Sequence, residues 1–132
     1  MQKNILILAL FSLIFLSLPV RADQVKIVNV ELEKSINTWT AHVTLKHGDT
    51  GWNHYADGWR VVDSKGKVLG NRTLYHPHVN EQPFTRSLSG IAIPAETRIV
   101  FIEAHDKVHG WNKDRVKINL NRSSGERYTI KK

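Results

Sequence analysis

The chain has 132 residues, a formal charge of +7, no cysteine and a single methionine at position 1. Without cysteine there is no disulfide framework and no thiolate chemistry, so any metal held by the folded part must accept nitrogen and oxygen ligands. The length suits one domain with its own core.

Met1-Gln-Lys-Asn4 precedes an apolar run from Ile5 to Val20, followed by Arg21-Ala22-Asp23. A positive start, a short apolar middle and small residues at Val20 and Ala22 are the layout of a secretory signal peptide cut after Ala22. The run is shorter than the roughly 20 residues of a spanning helix, so residues 1–22 are expected to be removed rather than kept as an anchor. No cysteine follows that could carry a lipid. Cleavage removes Lys3 and Arg21 and no acid, which lowers the charge to +5. The remaining basicity is scattered, and nucleic acid is not an expected partner of an exported protein. The basic residues Arg122, Arg127, Lys131 and Lys132 read as a solvated tail, so the expected organisation is a leader at 1–22, a domain at 23–121 and a tail at 122–132.

Downstream of the leader, short alternating segments are separated by turn residues, and no window shows a sustained helical period. Strands are predicted at Val25–Leu32 and Asn37–Lys46, the second with Trp39, Ala41, Val43 and Leu45 on one face and His42 on the other. A Gly- and Asp-rich loop, residues 47–54, leads to a third strand at Gly58–Asp63. The fourth, Lys67–Tyr75, ends at the proline-broken segment 76–83. Phe84–Ile93 is the fifth. Arg98–Ala104 is nearly continuously apolar and is predicted to be central, with Phe101 as well as Trp39 in the core; Arg115–Leu120 is the seventh. The fold class is therefore all-β, a single seven-strand antiparallel sandwich of immunoglobulin or fibronectin type III kind.

In such a sandwich alternate loops share an end. The loops around residues 33–36, 63–66 and 94–97 contain no histidine, whereas 47–55, 76–83 and 105–112 hold six of the seven: His47, His54, His76, His78, His105 and His109. Asp49, Glu81, Asp106, Trp52 and Trp111 lie in the same set. An extra hairpin at Asp57-Gly58 would change this grouping. Neutral imidazole is the commonest protein ligand for divalent transition metals, so this end is a candidate site for Cu(II) or Zn(II), with Ni(II) and Fe(II) next. The expected ligands are His54, His76, His78 and His109, with His47 and His105 as substitutes and Asp57 or Glu81 orienting the rings. His42 is left out as solvent-facing.

The opposing reading is that loop histidines serve as hydrogen-bond partners that tie long loops together. Arg86 offers a planar fork for an anion, but more often such a residue pins a loop to a carboxylate, here Asp57 or Glu81. Trp52, Tyr55, Trp59 and Trp111 near the rim suit a metal-free platform for a glycan, a peptide or an envelope protein. No Gly-x-Ser-x-Gly elbow and no cysteine nucleophile is present, so no catalytic residue and no organic cofactor is expected.

The segments Thr50-Gly-Trp-x-His54-Tyr-Ala-Asp-Gly-Trp59, His76-Pro-His-Val-Asn-Glu-Gln-Pro-Phe-Thr-Arg-Ser87 and His109-Gly-Trp111 resemble a family of small, uncharacterised exported bacterial proteins. The resemblance implies an envelope location, periplasmic or secreted. It carries over no activity, ligand or site residue.

Overall fold

Strict alternation in Trp39–Lys46 puts Trp39, Ala41, Val43 and Leu45 on the buried face of a strand, as period-2 geometry requires. The computed structural model describes residues 23–132, all of whose regular structure is β; the expected leader at 1–22 lies outside the described residues. In chain order the strands are β1 (Lys26–Lys34), β2 (Trp39–Lys46), β3 (Ala56–Asp63), β4 (Val68–Thr73), β5 (Phe84–Ile91), β6 (Ile99–Asp106), β7 (Gly110–Trp111), β8 (Val116–Asn119), β9 (Ser124–Gly125) and β10 (Tyr128–Lys131).

They form two five-stranded sheets. One runs β5-β2-β1-β10-β9; the other runs β4-β3-β6-β7, with β8 pairing the same edge of β6 further along. Side chains from both inner faces interdigitate, among them Ile27, Val30, Leu32, Val43 and Leu45 from the first sheet and Trp59, Val61, Val100, Ile102 and Ile118 from the second. Among the described residues this cluster runs from Val25 to Ile130.

The all-β sandwich agrees with the alternation, and three features differ from expectation. The segment read as a solvated tail, 122–132, holds β9 and β10. Tyr128 and Ile130 are buried, and β10 runs parallel to β1 with Val30 opposite Tyr128 and Leu32 opposite Ile130. The sandwich is therefore not purely antiparallel, and the strands among the described residues number ten rather than seven. Second, β6 is central but buries only one face: Val100, Ile102 and Ala104 point inward, while Phe101 lies on the outer face under the guanidinium of Arg115 at 3.7 Å. Third, Trp59 is fully buried rather than part of a rim, and Tyr55 is nearly so. A register shift between Ala56 and Gly58 resets the phase of β3 and turns Trp59 inward.

Asp57-Gly58 lies inside β3 and makes no hairpin; the one tight turn of that stretch is at Gly51–His54. The loops β2–β3, β4–β5 and β6–β7 consequently share one end of the sandwich. Depressions of about 350 and 560 Å³ lie among the histidine-free loops of the opposite end.

Candidate metal centre

Two buried aspartates organise the histidine end. Asp49 sits two residues after His47, where β2 ends, and its carboxylate accepts three hydrogen bonds: from His47 Nδ1 at 2.5 Å, from the Ala56 N–H at 3.0 Å and from the His78 N–H at 2.8 Å. It thereby ties the β2–β3 loop to itself and to the β4–β5 loop. Gln82 adds a second tie, accepting the His47 N–H at 2.9 Å and donating to the His78 carbonyl at 3.0 Å.

Asp106 closes β6. Its Oδ1 accepts the N–H groups of Val108 at 2.9 Å and His109 at 2.7 Å, an Asx-type turn that aims the β6–β7 loop. The His109 ring stands 3.0 Å from both carboxylate oxygens through Nδ1. Burial pushes the Asp106 carboxyl up, and the backbone N–H groups of His109 and Val108 with the His109 ring more than offset it, so the net shift is downward.

His54 comes from the tip of the β2–β3 loop and packs between His47 and His109, with ring centroids 4.7 and 5.4 Å away. Its Nε2 is buried, has no hydrogen-bond partner, and stands 3.3 Å from Asp106 Oδ1. One nitrogen each from His47 and His54 and one Asp106 oxygen all lie within 4.8 Å of one another. Two ligands about 2.1 Å from a tetrahedral ion sit roughly 3.4 Å apart, so the 3.3 Å spacing of His54 and Asp106 suits a shared Zn(II). Asp49 on His47 Nδ1 is the carboxylate–histidine arrangement that orients a metal-binding ring, while Nε2 donates to the Asp23 carbonyl at 2.8 Å, a hydrogen bond that an ion bound there would replace.

The structure brings His47, His54 and His109 together and leaves the other candidates apart. His78 is buried and stacked on Phe84 with ring centroids 3.9 Å apart, and its Nε2 accepts a hydrogen bond from Arg86 Nη2 at 2.9 Å. That nitrogen's lone pair is occupied, and the protonated Nδ1 is unpartnered, 4.0 Å from Asp49. His76 is exposed beside it. The four-ligand set His54, His76, His78 and His109 is thus divided: His54 and His109 stand at Asp106, whereas Arg86 holds His78, with His76 exposed beside it. Arg86 does pin its loop, through His78 and a looser 3.8 Å contact to exposed Glu81, and not through Asp57.

Asp57 instead receives the His105 Nδ1–H on the outer face of the second sheet, where the His105 ring meets Trp111 edge-on at 4.9 Å and Arg60 covers the indole at 3.8 Å. A depression of about 220 Å³ adjoins this group. Trp52 is two-thirds exposed and packs edge-on to Tyr55. His42 lies on the outer face of the first sheet, as expected, between Glu33 at 2.8 Å and Ser87 at 2.6 Å. Sequence reasoning passed over Asp49 and Asp106 as partners of the rings. The signals were local: His47-x-Asp49 at the end of one strand and Asp106-x-x-His109 at the end of another.

The charge balance around His78 sets a pH dependence. Burial, then the charges of Arg86 and His76, hold its ring below the ordinary histidine value. A group whose folded pKa is depressed gives stability that is present above its unfolded pKa and lost as pH falls toward the folded one. In chelator-treated protein the melting temperature is therefore expected to fall as pH drops below about 6.5, and less steeply in His78→Gln. Equal slopes in both proteins would assign the loss to another histidine.

No protein-family model matches the chain, and no solved structure does. A protein of Halomicrobium mukohataei named "Putative lipoprotein" is 45% identical to it over 69 residues, 52% of this chain and 33% of the relative. The chain thus spans about a third of that relative's length.

Proposed function

We propose that this is an exported protein whose histidine-bearing end binds a divalent transition metal, Zn(II) or Cu(II), through His47, His54 and Asp106, with His109 beside them, in order to carry or buffer it. The reading rests chiefly on His54 Nε2, a buried imidazole nitrogen with no hydrogen-bond partner, 3.3 Å from a buried carboxylate oxygen. An unpaired polar atom at such a place is costly unless something fills the gap, and a metal ion would. Export is supported by the leader-like start of the sequence and by the name of the Halomicrobium relative. This reading has the leader removed rather than a lipid anchor retained. It joins the motif resemblance to small exported bacterial proteins without drawing an activity from it.

The test is a thermal melt of residues 23–132 in chelator and then with Zn(II) or Cu(II). At a hundredfold the dissociation constant the ion adds about 2.7 kcal/mol, a rise on the order of 10 °C. His54→Ala and Asp106→Asn, each compared with its own metal-free melt, should abolish the rise. An unchanged melt with every ion would overturn the proposal.

A second reading has its own observation. Trp52, Tyr75, Val79 and Val108 are exposed apolar side chains that all sit on the three loops of this same end. They suit an interaction surface for an envelope glycan or protein. Binding lost in Trp52→Ser and indifferent to chelator would favour this reading over the metal.

A further inference from the structure

Beside the proposed metal site lies the first of the described residues. Asp23 is exposed, yet its carbonyl oxygen accepts a hydrogen bond from Nε2 of buried His47 at 2.8 Å, and its carboxylate Oδ2 accepts the Gly48 N–H at 2.9 Å. Glycine permits this approach, since a Cβ at position 48 would stand 3.2 Å from that oxygen. Two residues on, Val25 is buried and its carbonyl accepts Asn112 Nδ2 at 2.7 Å, so the segment is pinned from both sides. Asp49 holds the other nitrogen of His47. The ring therefore presents to Asp23 the one nitrogen through which it would bind a metal.

The sequence places leader cleavage between Ala22 and Asp23. An amide nitrogen has no available lone pair, but cleavage converts it to a primary amine, which has one. Backbone geometry keeps a residue's nitrogen within about 3.6 Å of its own carbonyl oxygen. The new amine thus arises within about 6.4 Å of His47 Nε2, and release of the Asp23 carbonyl from that nitrogen on binding lets the amine close the remaining distance. An amine and a carbonyl oxygen on one residue close a five-membered chelate ring on a divalent ion, and such mixed nitrogen and oxygen sets suit Cu(II).

We propose that removal of the leader completes the metal site: the α-amine of Asp23, with its own carbonyl or carboxylate oxygen, joins His47, His54 and Asp106 as a ligand. The inference rests on the metal-binding reading and on cleavage after Ala22. On binding, His47 Nε2 gives up its proton and its hydrogen bond to the Asp23 carbonyl, and the α-ammonium gives up one proton. Both protons pass to solvent, and the released oxygen lies next to the ion. The precursor would accordingly be a poor metal binder, and the site would form only after export.

The experiment compares Cu(II) affinity, by calorimetry and by the electron paramagnetic resonance spectrum, for the chain beginning at Asp23 and the chain beginning at Arg21. Equal melts in chelator would verify that both fold alike. The expected result is binding at least tenfold tighter in the Asp23 chain, with a different nitrogen pattern in its spectrum. Equal affinities and spectra would overturn this inference and leave the histidine–aspartate site standing. Absence of binding by either chain would overturn both. A preference that survives His47→Gln would be chelation by a loose chain end and would also overturn the inference.

Discussion

Replacement of Asp49 by alanine is expected to destabilise the domain by about 3–5 kcal/mol, the range for breaking a buried ion-paired or hydrogen-bonded group. The carboxylate is buried and receives the His47 ring and the N–H groups of Ala56 and His78. Alanine leaves three buried donors without an acceptor, each worth about 1–3 kcal/mol, offset in part where water enters. Against a total stability of about 5–15 kcal/mol the loss is a large fraction. The expected fall in melting temperature is on the order of 15–30 °C. Asp49→Asn keeps one carbonyl acceptor and should fall between. A decrease of only a few degrees in the alanine variant would mean that the loops are held by their apolar contacts and not by this knot.

A chain ending at Asn121 is expected to lose cooperative folding. It lacks β10, whose Tyr128 and Ile130 are buried in the core, and burial of each contributes roughly 1.5–3 kcal/mol. It also lacks the phenol oxygen that accepts the Asn119 N–H at 3.2 Å, and the ion pair of Lys131 with Glu31 at 3.0 Å. Gly125 belongs to the same unit, since a Cβ there would lie 2.3 Å from the Tyr128 ring. Arg127, at a positive φ of 64°, turns the chain between β9 and β10 and anchors the turn through Asp114 and the Ile27 carbonyl. Removal leaves β1 with an open edge, which invites aggregation. Circular dichroism of the truncated chain should show no sharp melt. A cooperative transition only a few degrees below that of the intact protein would show that β10 merely decorates the edge.

Acid titration separates two further contributions by pH range. The His78 loss begins near the ordinary histidine range, whereas the Asp106 carboxyl, held down by its N–H donors, gives stability that persists to lower pH and is lost below the usual carboxylate value of about 3.9. A two-step profile is the expected signature.

Local chemistry made the strand positions legible. Alternation in Trp39–Leu45, the turn at Asp63–Gly66 and the breaks at Pro77, Pro83 and Pro94 are features of neighbouring residues, and the seven expected strands lie close to where they form. The segregation of histidines to one end followed from strand reversal, a property of topology that short loops enforce. Where both faces of a strand carry apolar residues, as in β6, alternation does not say which face is inner. The outward Phe101 and inward Trp59 were fixed by a bulge and by packing across the sheets.

By itself, then, the sequence determined an all-β sandwich, a leader-like start and a histidine-bearing end, because period-2 patterning and turn residues act over a few positions. Tertiary structure decided the partner of each ring: Asp49 and the Asp23 carbonyl for His47, Asp106 for His54 and His109, Arg86 for His78, and Asp57 for His105. It also decided that the basic C-terminal segment is a strand. The contacts of His47 with Asp23, His54 with Asp106 and His105 with Asp57 join residues far apart along the chain, and their formation depends on loop closure and sheet register, which no short window of sequence encodes.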